Sequence, residues 1–162
     1  MKMNAITIRE ALADDVPSIV RLIGDAGLEK AWIRVEHPFD ADGRERRLRD
    51  RLMAGTAFAM VAESDGTIVG QATNRIGAGT AVLGIVVAAA HRGGGLGRRL
   101  LAASIAGARE RGASRMALQV YAENAAAIAL YRAYGFRETG DTDVDEQPDG
   151  ARWLVITMGR DL

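Results

Sequence analysis

The sequence predicts a single α+β domain over residues 1–162, built on a mixed, mostly antiparallel sheet. Strand-period segments stand at both ends and as a hairpin in mid-chain, and helices with one apolar face are interspersed among them. A continuous apolar run, Ala81 to Val87, leads into a glycine-rich turn and a further amphipathic helix. A length of 162 residues suits one domain, and 48% hydrophobic residues are enough to bury a core.

Ile6 and Ile8 alternate with Thr7 and Arg9, the pattern of a half-buried first strand. Asp14-Asp15-Val16-Pro17 reads as a helix start, with Asp capping free amides and Pro in the first turn, where no N–H is needed. Ile19, Leu22 and Ile23 give that helix an apolar face, and Gly24 and Gly27 mark its end. Glu29 to Asp40 has no clear periodicity. A second helix, Ala41 to Met53, is rich in Arg, read as a solvated face.

Phe58–Ala62 and Thr67–Ala72 flank Ser64-Asp65-Gly66, a hairpin signal. Ala81 to Val87 reads as a central strand buried on both sides. A helix then extends to Arg111, its buried face carried by Leu100, Leu101, Ile105 and Ala108. Met116–Val120 is a strand, Asn124 opens a helix ending at Gly135-Phe136, Asp141 to Gly150 is a polar tail segment, and Trp153 to Met158 is a last strand.

Lys+Arg and Asp+Glu each number 21, so the basic excess of a nucleic-acid binder is missing. With no cysteine, disulfides, thiolate metal sites and a cysteine nucleophile are excluded. No apolar run is long enough to span a bilayer, and Met1 to Arg9 lacks a signal-peptide apolar region, so the expected setting is cytoplasmic, without membrane partners. The two His residues stand far apart and give no metal signature.

Chemistry concentrates at two places. Arg92-Gly93-Gly94-Gly95-Leu96-Gly97-Arg98 joins the apolar strand to a helix. Free amides at a helix N-terminus attract phosphate oxygens, and glycines let a pyrophosphate come close to the backbone. Arg92, Arg98 and Arg99 add positive charge. The same residues also fit a structural turn. No Gly-Lys-Ser/Thr follows, which removes a Walker loop; a Rossmann site would put the motif after the first strand, and only Glu123 keeps that reading open. Downstream, Asn124 and Tyr131 are seven residues apart and face one way on a helix of small residues. That helix suits either a ligand surface or a packed core with Tyr131 as a core aromatic.

Together the two segments resemble the GNAT N-acetyltransferase superfamily, in motif style its ribosomal-protein-alanine acetyltransferases. Arg92, Gly95 and Gly97 match its Q/R-x-x-G-x-G/A motif, and Asn124, Ala127, Tyr131, Gly135 and Phe136 match a later N-x-x-A-(x)3-Y-(x)3-G-F pattern. Ile8-Arg9-Glu10-Ala11 with Asp15, and the Asp65-Gly66…Val69-Gly70 hairpin, are similar to the family's start and middle. The resemblance implies the GNAT fold, with about six to seven strands and about four helices, and acetyl transfer from acetyl-CoA to an amine without a metal.

Carried over residue by residue, the resemblance implies that amides of Ile85, Val86 and Val87 contact the pantetheine arm and polarise the thioester carbonyl, an oxyanion-hole role. Arg92, Gly93, Gly94, Gly95, Leu96, Gly97 and Arg98 hold the pyrophosphate, Asn124 hydrogen-bonds the cosubstrate, and Tyr131 is the general acid toward the leaving thiolate. His91 is read as surface. The similar alanine acetyltransferases carry Glu where this chain has Gln119, so the base is open among Glu123, Glu36, His37 and water. Trp32, Phe39 and Tyr121 are candidates for the acceptor wall. The acceptor is a small-molecule amine or a peptide N-terminus, with the small molecule favoured. Relatives suggest a homodimer. The alternative is an acyl-CoA-binding sensor or partner module with little catalysis, and a nucleotide-dependent enzyme is a third reading.

Overall fold

The computed structural model describes residues 5–29 and 32–162. Residues 1–4, inside the stretch read as lacking a signal peptide, and residues 30–31, inside the irregular segment, lie outside the described residues. One seven-stranded sheet has the order β1-β2-β3-β4-β5-β7-β6. Its strands are β1 Thr7–Glu10, β2 Ala57–Ser64, β3 Thr67–Gly77, β4 Thr80–Val87, β5 Arg115–Tyr121, β6 Arg137–Glu146 and β7 Arg152–Asp161. The α-helices are α1 Val16–Leu28, α2 Ala41–Ala54, α3 Leu96–Glu110 and α4 Ala125–Ala133. Every pairing is antiparallel except β4 with β5.

Two clusters cover the two faces. Val16, Ile19, Val20 and Leu48 of α1 and α2 pack on Ala59, Val61 and Val86. On the other face Leu100, Leu101 and Ile105 of α3 and Ile128 of α4 pack on Leu83, Leu118 and Met158. Leu100 and Leu101 are fully buried, each removing about 1.5–3 kcal/mol of apolar exposure.

β4 and β5 are in register only from Thr80↔Arg115 to Leu83↔Leu118. Beyond that they separate, while β4 stays paired with β3 as far as Val87↔Gly70 and β5 with β7 as far as Tyr121↔Val155. The parallel junction at the centre of the sheet is therefore open along residues 84–87 and 119–121. Alternate residues of a strand turn their N–H and C=O groups to opposite edges, so backbone polar groups of β4 face this gap.

Several expectations are corrected. α1 does not end at Gly24 or Gly27 but runs to Leu28; both glycines admit close neighbours, since a Cβ would lie 2.8 Å from Phe39 at Gly24 and 2.7 Å from Val35 at Gly27. Asp15 makes no side-chain cap to α1. Its carboxylate instead accepts from Leu12 N (2.7 Å) and from Arg9 (2.7 Å), and Arg9 holds it below the ordinary Asp range. β4 is buried on both sides only in part: Ala81 and Leu83 lie in one cluster and Val86 in the other, whereas Gly84, on the face of Val86, is exposed. The polar tail hides a strand, β6, because an edge strand paired on one side only can be polar throughout. α4 buries Ile128 alone, so its alanines are not a core helix.

Candidate active site

A cavity of about 770 Å³ passes through the β4–β5 gap and is lined from both faces of the sheet. On the α3–α4 side the wall includes Val87, the turn residues Arg92, Gly93, Gly95, Leu96 and Gly97, and Asn124, Ala127 and Tyr131 of α4. On the α1–α2 side it includes Trp32, Arg34, arginines of α2, and Gln71, Thr73 and Arg75 of β3. Ile85, Val86 and Val87 run between the two halves.

The turn is shaped for an anion. Gly93 and Gly95 both sit at φ 79°, where a β-carbon is strained, and a Cβ at either would point into open space. The first backbone bond into α3 is Arg99 N–H to Gly95 O at 3.2 Å. The amides of Leu96, Gly97 and Arg98 precede it and are free of intrahelical partners, at the positive end of a 15-residue helix. Of the three arginines expected to add charge here, only Arg92 lines the cavity. Its Nε donates to Val87 O (2.9 Å) and it pairs with Glu29 (2.9 Å). Arg98 extends over the Tyr134 ring (5.9 Å), and Arg99 donates to Ile6 O (2.7 Å). Gly94 is exposed at the turn, outside the wall.

Asn124 is the N-cap of α4, accepting from Ala127 N at 3.2 Å through Oδ1. One turn and more further on, Tyr131 packs against Phe136 (5.8 Å) and lines the cavity. Its hydroxyl has no protein hydrogen-bond partner among the described residues, and burial pushes the phenol up to about 12. It is thus protonated across the physiological range.

His91, expected at the surface, lines the cavity instead, with its Nδ1 buried and without a hydrogen-bond partner among the described residues. The sheet brings none of the base candidates to the cavity wall. Glu123 is exposed beyond the end of β5. Although burial works upward on Glu36, hydrogen bonding from Arg44 and the charge of Arg47 hold its carboxyl below the ordinary Glu range. His37 and Phe39 line a separate apolar depression between α1 and α2, so Phe39 does not reach this cavity. Trp32 does line the cavity, its ring tilted against those of Trp153 (5.5 Å) and Tyr121 (6.3 Å). Tyr121 donates to Asp145 (2.5 Å); burial first, then Asp145, raise its phenol above the usual tyrosine range.

The second half of the wall was not foreseen. Arg34, Arg44, Arg47, Arg51 and Arg75 all line it, and no Asp or Glu does among the described residues. α2's arginines are therefore not simply a solvated face. Arg34 donates to Gln119 Oε1 (3.2 Å), and Thr73 Oγ1 donates to the buried Gln71 Oε1 (2.6 Å). The signal for β3 was available: Gln71, Thr73 and Arg75 are polar at period two, which sets them on one face. Among the described residues no group of His, Asp and Glu gathers as a metal site.

The family model described as "Acetyltransferase (GNAT) family" matches residues 26–136. The L-methionine sulfoximine/L-methionine sulfone acetyltransferase of Pseudomonas aeruginosa is 31% identical over 158 residues, covering 94% of this chain and 91% of the relative. The L-amino acid N-acyltransferase MnaT of Escherichia coli is 31% identical over 159 residues, with 94% and 91% covered. Among solved structures, the ribosomal-protein-alanine N-acetyltransferase from Brucella melitensis superposes with a TM-score of 0.84 at 34% identity, over 96% of this chain and 99% of that one. YncA from Salmonella typhimurium, solved with its cofactor acetyl-CoA, gives 0.83 at 31%, over 98% and 95%.

Proposed function

Because the chain belongs to the acetyltransferase (GNAT) family and is an acetyl-CoA-dependent N-acetyltransferase, we propose that its acceptor is a small α-amino acid. The observation that carries this reading is the cavity through the sheet, with an amide-lined turn at one end and an arginine-lined, carboxylate-free wall at the other. A carboxylate beside the acceptor amine has guanidinium partners on that wall, whereas a plain amine finds no carboxylate on it among the described residues. Relatives named for acetylating amino acids support the same choice.

The residues fit acetyl-CoA: a turn open at Gly93 and Gly95, free amides at the α3 N-terminus, and a cavity along the β4–β5 gap lined from both faces of the sheet. Bound there, acetyl-CoA supplies an acetyl group activated as a thioester. In this reading Arg92, Gly93, Gly94, Gly95, Leu96, Gly97 and Arg98 cradle the pyrophosphate, with Arg92 exchanging Glu29 for phosphate. Amides among Ile85, Val86 and Val87 bind the pantetheine and stabilise charge growing on the carbonyl oxygen. The cap uses Asn124 Oδ1, which leaves the Nδ2 amide to donate to the cosubstrate.

As the amine nitrogen bonds to the acetyl carbon, the carbon–sulfur bond breaks and Tyr131 donates to the departing sulfur. The phenol, at about 12, lies about three units above an ordinary thiol, so full transfer costs about 4–5 kcal/mol on its own. The proton that finally neutralises the sulfur comes from the acceptor nitrogen. With no carboxylate on the described wall, an acceptor arriving as ammonium loses its other proton to water. A pure binding module gains nothing from an unpartnered hydroxyl and a second, arginine-lined half.

Thiol release from acetyl-CoA measured with L-amino acids, their decarboxylated amines and short peptides tests this. The expected order puts free amino acids first; faster turnover of the decarboxylated amines or the peptides would overturn the assignment.

A further inference from the structure

The positive charge of the acceptor half is uneven. Arg34 is paired with Asp143 (2.7 Å) and Asp145 (3.5 Å), and Arg44 and Arg47 share Glu36, with Arg47 also 3.6 Å from Asp40. Arg51 and Arg75 line the same half without a carboxylate partner among the described residues. The fold makes them neighbours. Arg51 O accepts from Thr56 N (3.0 Å), Thr56 O accepts from Ile76 N (2.8 Å), and Ala57 stands opposite Arg75 in the β2–β3 register. The C-terminal turn of α2 and the far half of β3 thus present two uncompensated guanidinium groups at one corner.

That corner has a defined place relative to the gap. Thr73 is opposite Gly84, where β4 begins to part from β5, and Arg75 is opposite Val82. Two residues of strand advance about 7 Å. An amine reacting at the gap therefore has the corner within reach of a side chain of a few carbons, but farther out than its own α-carboxylate, which would lie near Thr73 and the Arg34–Gln119 pair.

We propose that Arg51 and Arg75 form a binding site for a second anionic group at the end of the acceptor's side chain, so that the preferred acceptors are acidic α-amino acids. This rests on the amino-acid reading above. Solvent around both arginines weakens but does not cancel their pull on an anion, and it makes that pull sensitive to salt.

The test is thiol release from acetyl-CoA by the full chain with isosteric pairs, L-glutamate against L-glutamine and L-2-aminoadipate against L-homoglutamine. The expected kcat/KM ratio is about tenfold in favour of the diacid, set mainly by KM and shrinking with added salt. Arg51→Gln and Arg75→Gln should each collapse the ratio by lowering kcat/KM for the diacids far more than for the amides, and Arg75→Lys should keep part of it. Equal or better use of the amides would overturn the proposal. So would parallel loss of both acceptor types in the Gln variants, which would put the α-carboxylate at this corner. If neither member of a pair is acetylated while amines without carboxylates are, the amino-acid reading itself fails and carries this inference with it.

Discussion

Replacing Tyr131 by Phe removes one oxygen and almost nothing else. The ring keeps its packing against Phe136, centroids 5.8 Å apart, and the hydroxyl leaves no protein partner stranded. Folding stability should therefore stay within about 0.5 kcal/mol of the parent. Turnover should not. A positioned proton donor contributes about 10² or more to a rate, so the Phe variant should lose about 100-fold in kcat, equivalent to about 2.7 kcal/mol of transition-state stabilisation. Because the hydroxyl acts on the leaving sulfur and not on cosubstrate binding, the Kd for acetyl-CoA should change by less than about twofold. Steady-state thiol release at saturating acetyl-CoA gives the first number, and titration calorimetry with acetyl-CoA gives the second. Since burial holds the phenol at about 12, the parent should show no loss of activity from Tyr131 ionisation until pH approaches that value. A Phe variant with full turnover would refute the role, and a variant that loses acetyl-CoA affinity in step with rate would make Tyr131 a binding residue only.

Asn124→Asp should keep the α4 cap, made through Oδ1, yet weaken acetyl-CoA about tenfold because the Nδ2 donor is gone; Asn124→Ala should also lose about 1 kcal/mol of stability. Calorimetry and thermal melts separate the two effects. Gly107→Ala should destabilise despite a helix-propensity gain of about 1 kcal/mol: its Cβ would lie 2.7 Å from the Phe58 ring, which is 1% exposed and capped by Arg111 at 4.2 Å. Overpacking of this kind costs about 1–3 kcal/mol, and a raised melting temperature would contradict it. Asp15 is held below its ordinary range chiefly by the hydrogen bond from Arg9. Its contribution to stability is thus complete above the unfolded value of about 3.9 and is lost as pH falls through the lower folded value. Asp15→Asn should cost about 1.5–3 kcal/mol at neutral pH, and the difference from the parent in denaturant melts should fade in strong acid.

Local patterns carried most of the fold. The alternation at Ile8, the Asp65-Gly66 turn, and the Leu100–Leu101–Ile105–Ala108 face each leave a periodicity or a turn signal within a short stretch of chain, and each stands where the pattern put it. β6 escaped because it is an edge strand paired only with β7, across a short hairpin, which leaves its own residues wet and polar. Gly24 and Gly27 were misleading for another reason: they serve Phe39 and Val35, which return from a loop, and not the helix end. The half of the site around Arg92 and Tyr131 was legible because backbone amides and a helix start have a local signature. The acceptor half was not, since Arg34, Arg51, Arg75 and Gln119 converge only when the irregular loop, α2, β3 and β5 are brought together. His91 was misread because the turn's sequence does not reveal that Nδ1 is shut away from solvent.

Acetyl-CoA threading the gap between β4 and β5, held by the turn after Val87, would leave its mark on the backbone of both. Backbone amide shifts followed by NMR during titration with acetyl-CoA test it most directly. Saturable changes are expected, centred on residues 84–87, 93–98 and 124–131, with the α1–α2 depression around Phe39 unmoved. No saturable response, or one centred on that depression, would contradict it.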